Sequence, residues 1–302
     1  MLSSSTAVRT SRAGVASLIA AGVLWGTGGL AGSVLAARAD LHPLSVAAYR
    51  LLLGGGFAVL FLWFTGGLRA LPRTRAVARR LLAAGALLAV FQACYFAAVA
   101  LTSVSLATMT TIGSSPVFVA LATAVLDRRR PTTPTILSIA GAVAGLILLT
   151  WSPGGAGERW QLLAGLVLAL ASGAGFAALT LVTRRPVEGL DSLRTTAFGL
   201  LGGGVLLLPA ALWLGAGLPW DAGVLAVAAY LGAVPTALAY VAYFRGLSRS
   251  HPVLAALSAL LEPLTAALLA AVLLGDRLGV AGWCGAALLA ASIAVSYWRP
   301  QR

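Results

Sequence analysis

Long apolar runs, separated by short stretches that carry arginine, set the pattern of this chain. The runs lie near 14–37, 43–65, 80–101, 105–126, 133–151, 160–182, 192–214, 222–245, 252–274 and 278–297. A helix needs about 20 mostly apolar residues to cross roughly 30 Å of hydrocarbon. Each run meets that length, so the pattern predicts ten membrane-spanning helices joined by short loops. The first run follows Arg9 and Arg12, and Ala37-Arg38-Ala39 imitates a cleavage site. The apolar core of a signal peptide is only about 7–15 residues long, however, so this longer run reads as a retained first span.

Composition agrees. Of 302 residues, 60% are apolar and 10% charged, against roughly 45–50% and about 25% in soluble domains. Such a chain cannot clothe itself for water, and its apolar content excludes intrinsic disorder. Two cysteines exclude a disulfide scaffold.

The net charge of +13 comes from 21 basic residues, all arginine, and 8 acids. A basic chain can signal nucleic-acid binding, but the placement of these arginines is topological, and no nucleic-acid partner is expected. The N-terminus, the even-numbered loops and the C-terminus hold 17 of them, and the odd-numbered loops hold 3. Positive charge is retained on the cytoplasmic side, which predicts cytoplasmic termini. Absent lysine with abundant Ala, Gly and Arg suggests a GC-rich bacterial genome, hence a bacterial inner membrane. Seven of the eight tryptophans, Trp63, Trp151, Trp160, Trp213, Trp220, Trp283 and Trp298, fall near span ends, the usual interfacial belt. Trp25, near the middle of the first span, does not fit that belt.

A shift of 148 residues overlays the two halves. Gly54, Gly55 and Gly56 meet Gly202, Gly203 and Gly204, and Tyr95-Phe96 meets Tyr243-Phe244; a one-residue slip then aligns Pro116 with Pro263. Five spans is an odd number, so the second half enters the membrane from the opposite face. The expected fold is an all-α membrane protein whose ten transmembrane helices form two inverted five-helix repeats. Its parts are a cytoplasmic segment 1–13, repeats over 14–151 and 160–297, and a cytoplasmic tail 298–302. Inverted repeats are common in carriers that bind substrate near the midplane.

Several short motifs then resemble the ten-helix EamA-type branch of the drug/metabolite transporter superfamily. They are Leu24-Trp25-Gly26-Thr27, Tyr49-Arg50-Leu51-Leu52, and Tyr243-Phe244 followed by Leu261-Glu262-Pro263 and Leu273-Leu274-Gly275-Asp276-Arg277. The first half departs from the pattern: Ser114-Ser115-Pro116 lacks the Glu, and Asp127-Arg128-Arg129-Arg130 replaces the Gly-Glu ending. The resemblance implies a secondary carrier of small metabolites, with spans 1, 3, 4, 6, 8 and 9 lining its cavity.

The residues that would touch a substrate are Trp25, Arg50, Gln92, Tyr95, Thr111, Ser115, Tyr240 and Tyr243. Leu88, Gln92 and Tyr95 follow i, i+4, i+7 spacing and share one helix face, as do their mates Thr236, Tyr240 and Tyr243. Thr108, Thr111 and Ser115 form a further stripe, for which ordinary interhelical hydrogen bonding is the competing reading. Glu262 lies mid-span, where a charge costs about 2.5–3.5 kcal/mol by insertion scales. It must be protonated, paired or facing water, and it is the candidate for proton coupling; bracing the kink at Pro263 is the alternative. Arg50 is the one cation inside a span, some seven residues from its outer end. Snorkelling to the outer interface or anchoring a helix is the favoured reading; binding a substrate carboxylate or a buried acid is the other. The glycine triplets read first as close-packing points and second as flexible ones.

Enzyme chemistry finds little support. His42 and His251 stand at loop edges, and no Ser-His-Asp set, Walker loop, paired cysteine motif or zinc-spaced cluster occurs. No catalytic residue, metal or cofactor is expected. The expected partners are a small-molecule substrate, the bilayer and possibly protons. The expectation is an exporter of a small metabolite, an amino acid or similar. Multidrug efflux of hydrophobic compounds is the alternative, and an intramembrane lipid-modifying enzyme a more distant one.

Overall fold

The computed structural model describes residues 11–68, 72–126, 156–183, 186–249 and 261–275, with isolated residues between 136 and 148, 254 and 259, and 279 and 291. The described elements are helices: α1 (Arg12–Ala39), α2 (Pro43–Phe64), α3 (Arg75–Leu101), α4 (Val104–Leu126), α5 (Ala156–Thr183), α6 (Ser192–Trp213), α7 (Ala222–Leu247) and α8 (Leu261–Leu274). The first seven are long and apolar enough to span a membrane, and α8 is shorter. They match expected spans 1–4, 6–8 and the later part of span 9. Most of spans 5 and 10, the arginines at 128–130 and the C-terminal tail lie outside the described residues.

Polar residues beside the apolar runs act as caps. The side chains of Ser11, Thr74, Asp191 and Asp221 accept from the backbone N–H groups of Gly14, Val77, Arg194 and Val224. Each satisfies a donor that a helix start leaves orphaned. His42 does the same for Leu44, with Pro43 opening α2. This cap occupies His42, one of the two loop-edge histidines.

The bundle departs from the soluble pattern on its outside. Large apolar side chains such as Leu163, Val167, Val205 and Val272 face outward, while the interior combines buried leucines such as Leu18, Leu51 and Leu200 with many small residues, Ser, Thr, Gly and Ala. Trp63, Trp160, Trp213, Trp220 and Trp283 are all exposed, as an interfacial belt requires. Small residues let backbones approach, which drives helix association where no hydrophobic force acts between helices. A Cβ on Gly55 would stand 2.4 Å from the Leu201 nitrogen, and one on Gly203 would stand 2.7 Å from the Gly85 carbonyl oxygen. The close-packing reading of the triplets fits these positions.

α2 packs on α6 and α7, α3 on α5 and α6, α4 on α5 and α8, and α1 on α7 and α8. Loop contacts gather at two ends. At one, the Ser11 N–H donates to the Arg249 carbonyl and the Arg194 Nε to the Gly67 carbonyl. At the other, the Tyr49 hydroxyl donates to the Ala216 carbonyl, and Gly165 abuts Thr102.

Two helices depart from α geometry. In α7, residues Ala233–Leu238 form a π-helical turn around Pro235; in α8, Ala270–Leu274 form another. Proline has no N–H to offer the Leu231 carbonyl four residues back. The Thr236 hydroxyl donates to that carbonyl instead, at 2.8 Å. In a membrane, such internal satisfaction is what makes a broken helix tolerable.

Candidate functional site

Arg50 sits at the centre of the bundle. It is 6% exposed, its Nε donates to Thr236 Oγ1 at 3.3 Å, and its Cζ lies 5.8 Å from the centroid of the Phe96 ring. Snorkelling to the outer interface is therefore corrected: the side chain turns inward and meets the π-turn of α7. What admits it is α1. A Cβ on Gly28 would stand 2.8 Å from Arg50 Nη2 and 3.2 Å from Nη1. Among the described residues, neither terminal nitrogen makes a hydrogen bond or ion pair.

Further glycines of α1 seat the neighbouring groups. Gly29 receives the Tyr95 hydroxyl, which shares a 2.7 Å hydrogen bond with Thr108 Oγ1. Gly32 receives the edge of Phe96, and Gly26 receives Thr265 and the backbone carbonyl of Glu262. α1 is thus a glycine-faced post against which α2 lays Arg50, α3 lays Tyr95 and Phe96, and α8 lays Thr265 and its backbone.

An aromatic wall stands beside Arg50. The Trp25 ring centroid is 5.3 Å from Tyr240, edge to face, and 5.0 Å from Tyr243. Tyr240 also stacks on Phe244 at 6.2 Å. Edge-to-face pairs of this spacing are favoured by ring quadrupoles, which holds the wall in one arrangement. The mid-membrane tryptophan that the interfacial belt does not explain belongs here.

Glu262 closes the group from α8. It is half-buried, and it lies within electrostatic reach of Arg50, Tyr95 and Tyr240. Among the described residues, no hydrogen bond or ion pair holds its carboxylate, and none joins it to Arg50. Gln92 is 3% exposed, and its Oε1 has no hydrogen-bond partner. An unsatisfied buried polar atom costs about 1–3 kcal/mol, so each such group needs a reason to exist.

The structure brings together Trp25, Arg50, Tyr95, Tyr240, Tyr243 and Glu262. It does not bring Thr111 to them: the Thr111 hydroxyl donates to the Ala169 carbonyl of α5 at 3.2 Å. Ser115 is buried on α4. Phe96, Thr236, Phe244 and the α1 glycines 28, 29 and 32 enter the site without having been singled out as contact residues. Two signals pointed to the Arg50–Thr236 junction: Thr236 stands on the face shared with Tyr240 and Tyr243, and Pro235 is a proline inside an apolar run. Among the described residues, no three His, Cys, Asp or Glu side chains form a metal-ligand group.

Membrane-length apolar helices around a polar and aromatic cluster define a multi-pass membrane protein, and comparison with known proteins gives its class, a membrane transporter. The EamA-like transporter family matches twice, over residues 12–151 and 163–298, and the chain belongs to that family. It is 28% identical over 285 residues to the uncharacterized transporter YwfM of Bacillus subtilis (strain 168), covering 94% of each chain. It is also 28% identical over 207 residues to an uncharacterized transporter of Archaeoglobus fulgidus, covering 68% of this chain and 72% of that one. A solved crystal structure shares the fold, with a TM-score of 0.66 and 22% identity over 94% of this chain and 96% of that chain.

Proposed function

We propose that this chain is a secondary carrier of a bacterial inner membrane that exports a small metabolite, an amino acid or similar compound, by alternating access between two inverted five-helix halves. The observation that carries the reading is the central cluster. Arg50 and Tyr95 from the first half and Tyr240, Tyr243 and Glu262 from the second converge around Trp25. They include two opposite charges with no ion pair between them.

Exchange of packing partners supports the inverted arrangement. Under the 148-residue correspondence, α1 maps to α5, α2 to α6, α3 to α7 and α4 to α8. The pair α1–α7 then becomes α5–α3, α1–α8 becomes α5–α4, and α2–α7 becomes α6–α3; all occur. α2 begins near Ala216, which follows α6, and ends near Arg194, which opens α6. Counterpart helices running antiparallel is what inversion requires, and the double family match agrees with a repeat. The arginine-rich end is the cytoplasmic one by the retention of positive charge.

Alternating access follows from the position of the site. Groups from both halves meet at one place, so rocking one half on the other opens that place to either face in turn. Glu262 is the group through which a proton couples to the cycle.

The test is flux in proteoliposomes against a metabolite panel, with and without a pH gradient. Movement of at least one solute, accelerated by an outward-to-inward proton gradient, is expected. If no solute moves under any gradient while added lipid is chemically altered, the enzyme reading replaces the carrier.

A further inference from the structure

We infer that Thr236 is the positioning residue of Arg50: its hydroxyl ties the guanidinium to the broken turn of α7, so that the bend of that helix and the setting of the arginine change together. This rests on the carrier reading above and assigns the moving part of the same site.

Two hydrogen bonds meet on one buried oxygen. Thr236 is 1% exposed. It gives its hydroxyl hydrogen to the Leu231 carbonyl at 2.8 Å, the acceptor that Pro235 cannot serve. It accepts the Arg50 Nε–H at 3.3 Å. A hydroxyl has one hydrogen and two lone pairs, so both bonds form at once, and donating makes the oxygen a better acceptor. Repair of the helix alone needs only the first bond. The second is the one hydrogen bond of the Arg50 side chain among the described residues. Whatever separates Thr236 from Leu231 therefore moves the anchor of the arginine, and a group drawn to the guanidinium acts back on the turn.

Close approach of the two backbones holds the threonine in place. A Cβ on Gly54, one turn beyond Arg50 on α2, would stand 2.4 Å from Thr236 Cγ2, and one on Gly232 would stand 2.4 Å from Leu53 Cβ. The methyl thus packs on α2 while the hydroxyl serves α7 and Arg50, which separates the two roles of the side chain by atom.

The counterpart junction, α6 on α3, has none of these parts. Under the 148-residue correspondence Arg50 maps to Phe198, Pro235 to Leu87 and Thr236 to Leu88. There α3 runs as an unbroken α-helix from Arg75 to Leu101. Leu88 packs with Leu51, Phe91 and Leu200, and a Cβ on Gly199 of α6 would stand 3.1 Å from its Cδ1. A cation, a helix-breaking proline and a linking hydroxyl that occur together at one junction and are absent together from the other belong to one device. It makes the halves unequal: α7 is the helix that flexes, and α3 is the strut.

Hydrogen exchange read by mass spectrometry on the full-length protein in detergent tests this without a substrate. Peptides over 231–243 report the turn, and peptides over 81–94 report α3. Thr236→Val keeps the methyl and loses the hydroxyl, Thr236→Ser does the reverse, and Arg50→Met removes the donor. Thr236→Val and Arg50→Met should each speed exchange over 231–243 by about tenfold, with α3 unchanged and Thr236→Ser close to wild type. Both substitutions break the same link, so the double variant should exchange no faster than Thr236→Val by itself. Wild-type exchange in Arg50→Met, or Thr236→Ser behaving like Thr236→Val, overturns the inference. The native arginine gives a second reading. Phenylglyoxal should modify Arg50 about threefold faster in Thr236→Val than in Thr236→Ser, and equal rates overturn the inference whether or not Arg50→Met folds. If a solute is carried in proteoliposomes and these readings show no link, this inference alone fails. If no solute is carried, the carrier reading fails, while exchange and modification still decide the link.

Discussion

The glycine triplets allow a direct test of whether these helices are locked together or hinged. Gly55 and Gly56 are adjacent and differ in surroundings. A Cβ on Gly55 would lie 2.4, 2.7 and 2.9 Å from the Leu201 N, Cα and Cβ atoms, two of them backbone, while one on Gly56 would meet nothing within 4 Å. The counterpart triplet repeats the contrast. A Cβ on Gly203 would meet the Gly85 oxygen at 2.7 Å, whereas Gly202 faces open space. Alanine at an open helical position gains about 0.5–1 kcal/mol over glycine. Alanine at Gly55 or Gly203 forces two backbones apart, and overpacking of this kind costs about 1–3 kcal/mol. The alanine gain is common to both classes, so they should separate by the overpacking cost, about 1–3 kcal/mol. At roughly 2–4 °C per kcal/mol for chains somewhat smaller than this one, the expected gap is about 2–12 °C. Thermal unfolding in detergent, followed by tryptophan fluorescence, reads it. Gly56→Ala and Gly202→Ala should unfold at or above the wild-type temperature and transport normally; Gly55→Ala and Gly203→Ala should unfold several degrees lower. Equal temperatures for the two classes would refute the packing argument. Loss of transport in Gly56→Ala or Gly202→Ala, with stability unchanged, would make the triplets flexible points instead.

Three further outcomes are expected. Gly28→Ala places a methyl 2.8 Å from Arg50 Nη2, the far end of a flexible side chain, so it should shift the unfolding temperature little yet raise the KM for a carboxylate-bearing substrate about tenfold, the equivalent of about 1.4 kcal/mol; an unchanged KM in flux assays refutes it. Cysteines placed at Arg73 and Leu218, with Cys94 and Cys284 replaced, should react with an impermeant maleimide from opposite faces of the membrane, and labelling from one face would break the inverted arrangement. Glu262→Gln should retain solute exchange across vesicles and lose acceleration by a pH gradient; full coupling in that variant would remove the glutamate from the proton path.

Much of the fold was legible because bilayer thickness imposes one length on every span, and the ends of α1, α2, α6 and α7 fall within about two residues of the apolar runs. The aromatic wall was legible too: Tyr240 and Tyr243 stood at helical spacing, and Trp25 stood where no interfacial tryptophan belongs. The direction of Arg50 was not. α2 is apolar around nearly its whole circumference, so no stripe shows which way it faces, and distance from the helix end alone favoured the interface. The deciding residue is Gly28 on another helix, which leaves room for a guanidinium. Thr111 misled in the opposite sense. Its spacing placed it on a polar stripe, but that stripe serves two neighbours, and the Ala169 carbonyl takes its hydroxyl. Periodicity assigns a residue to a face; only packing decides what that face meets.

The two poles of the site are held unequally, and the difference assigns their roles. Arg50 is fixed by Thr236, the Phe96 ring and the Gly28 gap, and arginine stays charged throughout. Glu262 has no such anchor among the described residues, and its charge is the one that can change. In the proposed cycle, then, the arginine is the constant and the glutamate the variable. If a proton crosses on Glu262, the proton-bearing site also carries the positive charge of Arg50, and a membrane potential acts on that leg by about 2.3 kcal/mol per charge per 100 mV if the charge crosses the whole field. Response to the electrical as well as the chemical part of a proton gradient would thus arise from one anchored cation and one unanchored acid, and flux that ignores an imposed potential would remove Arg50 from that account.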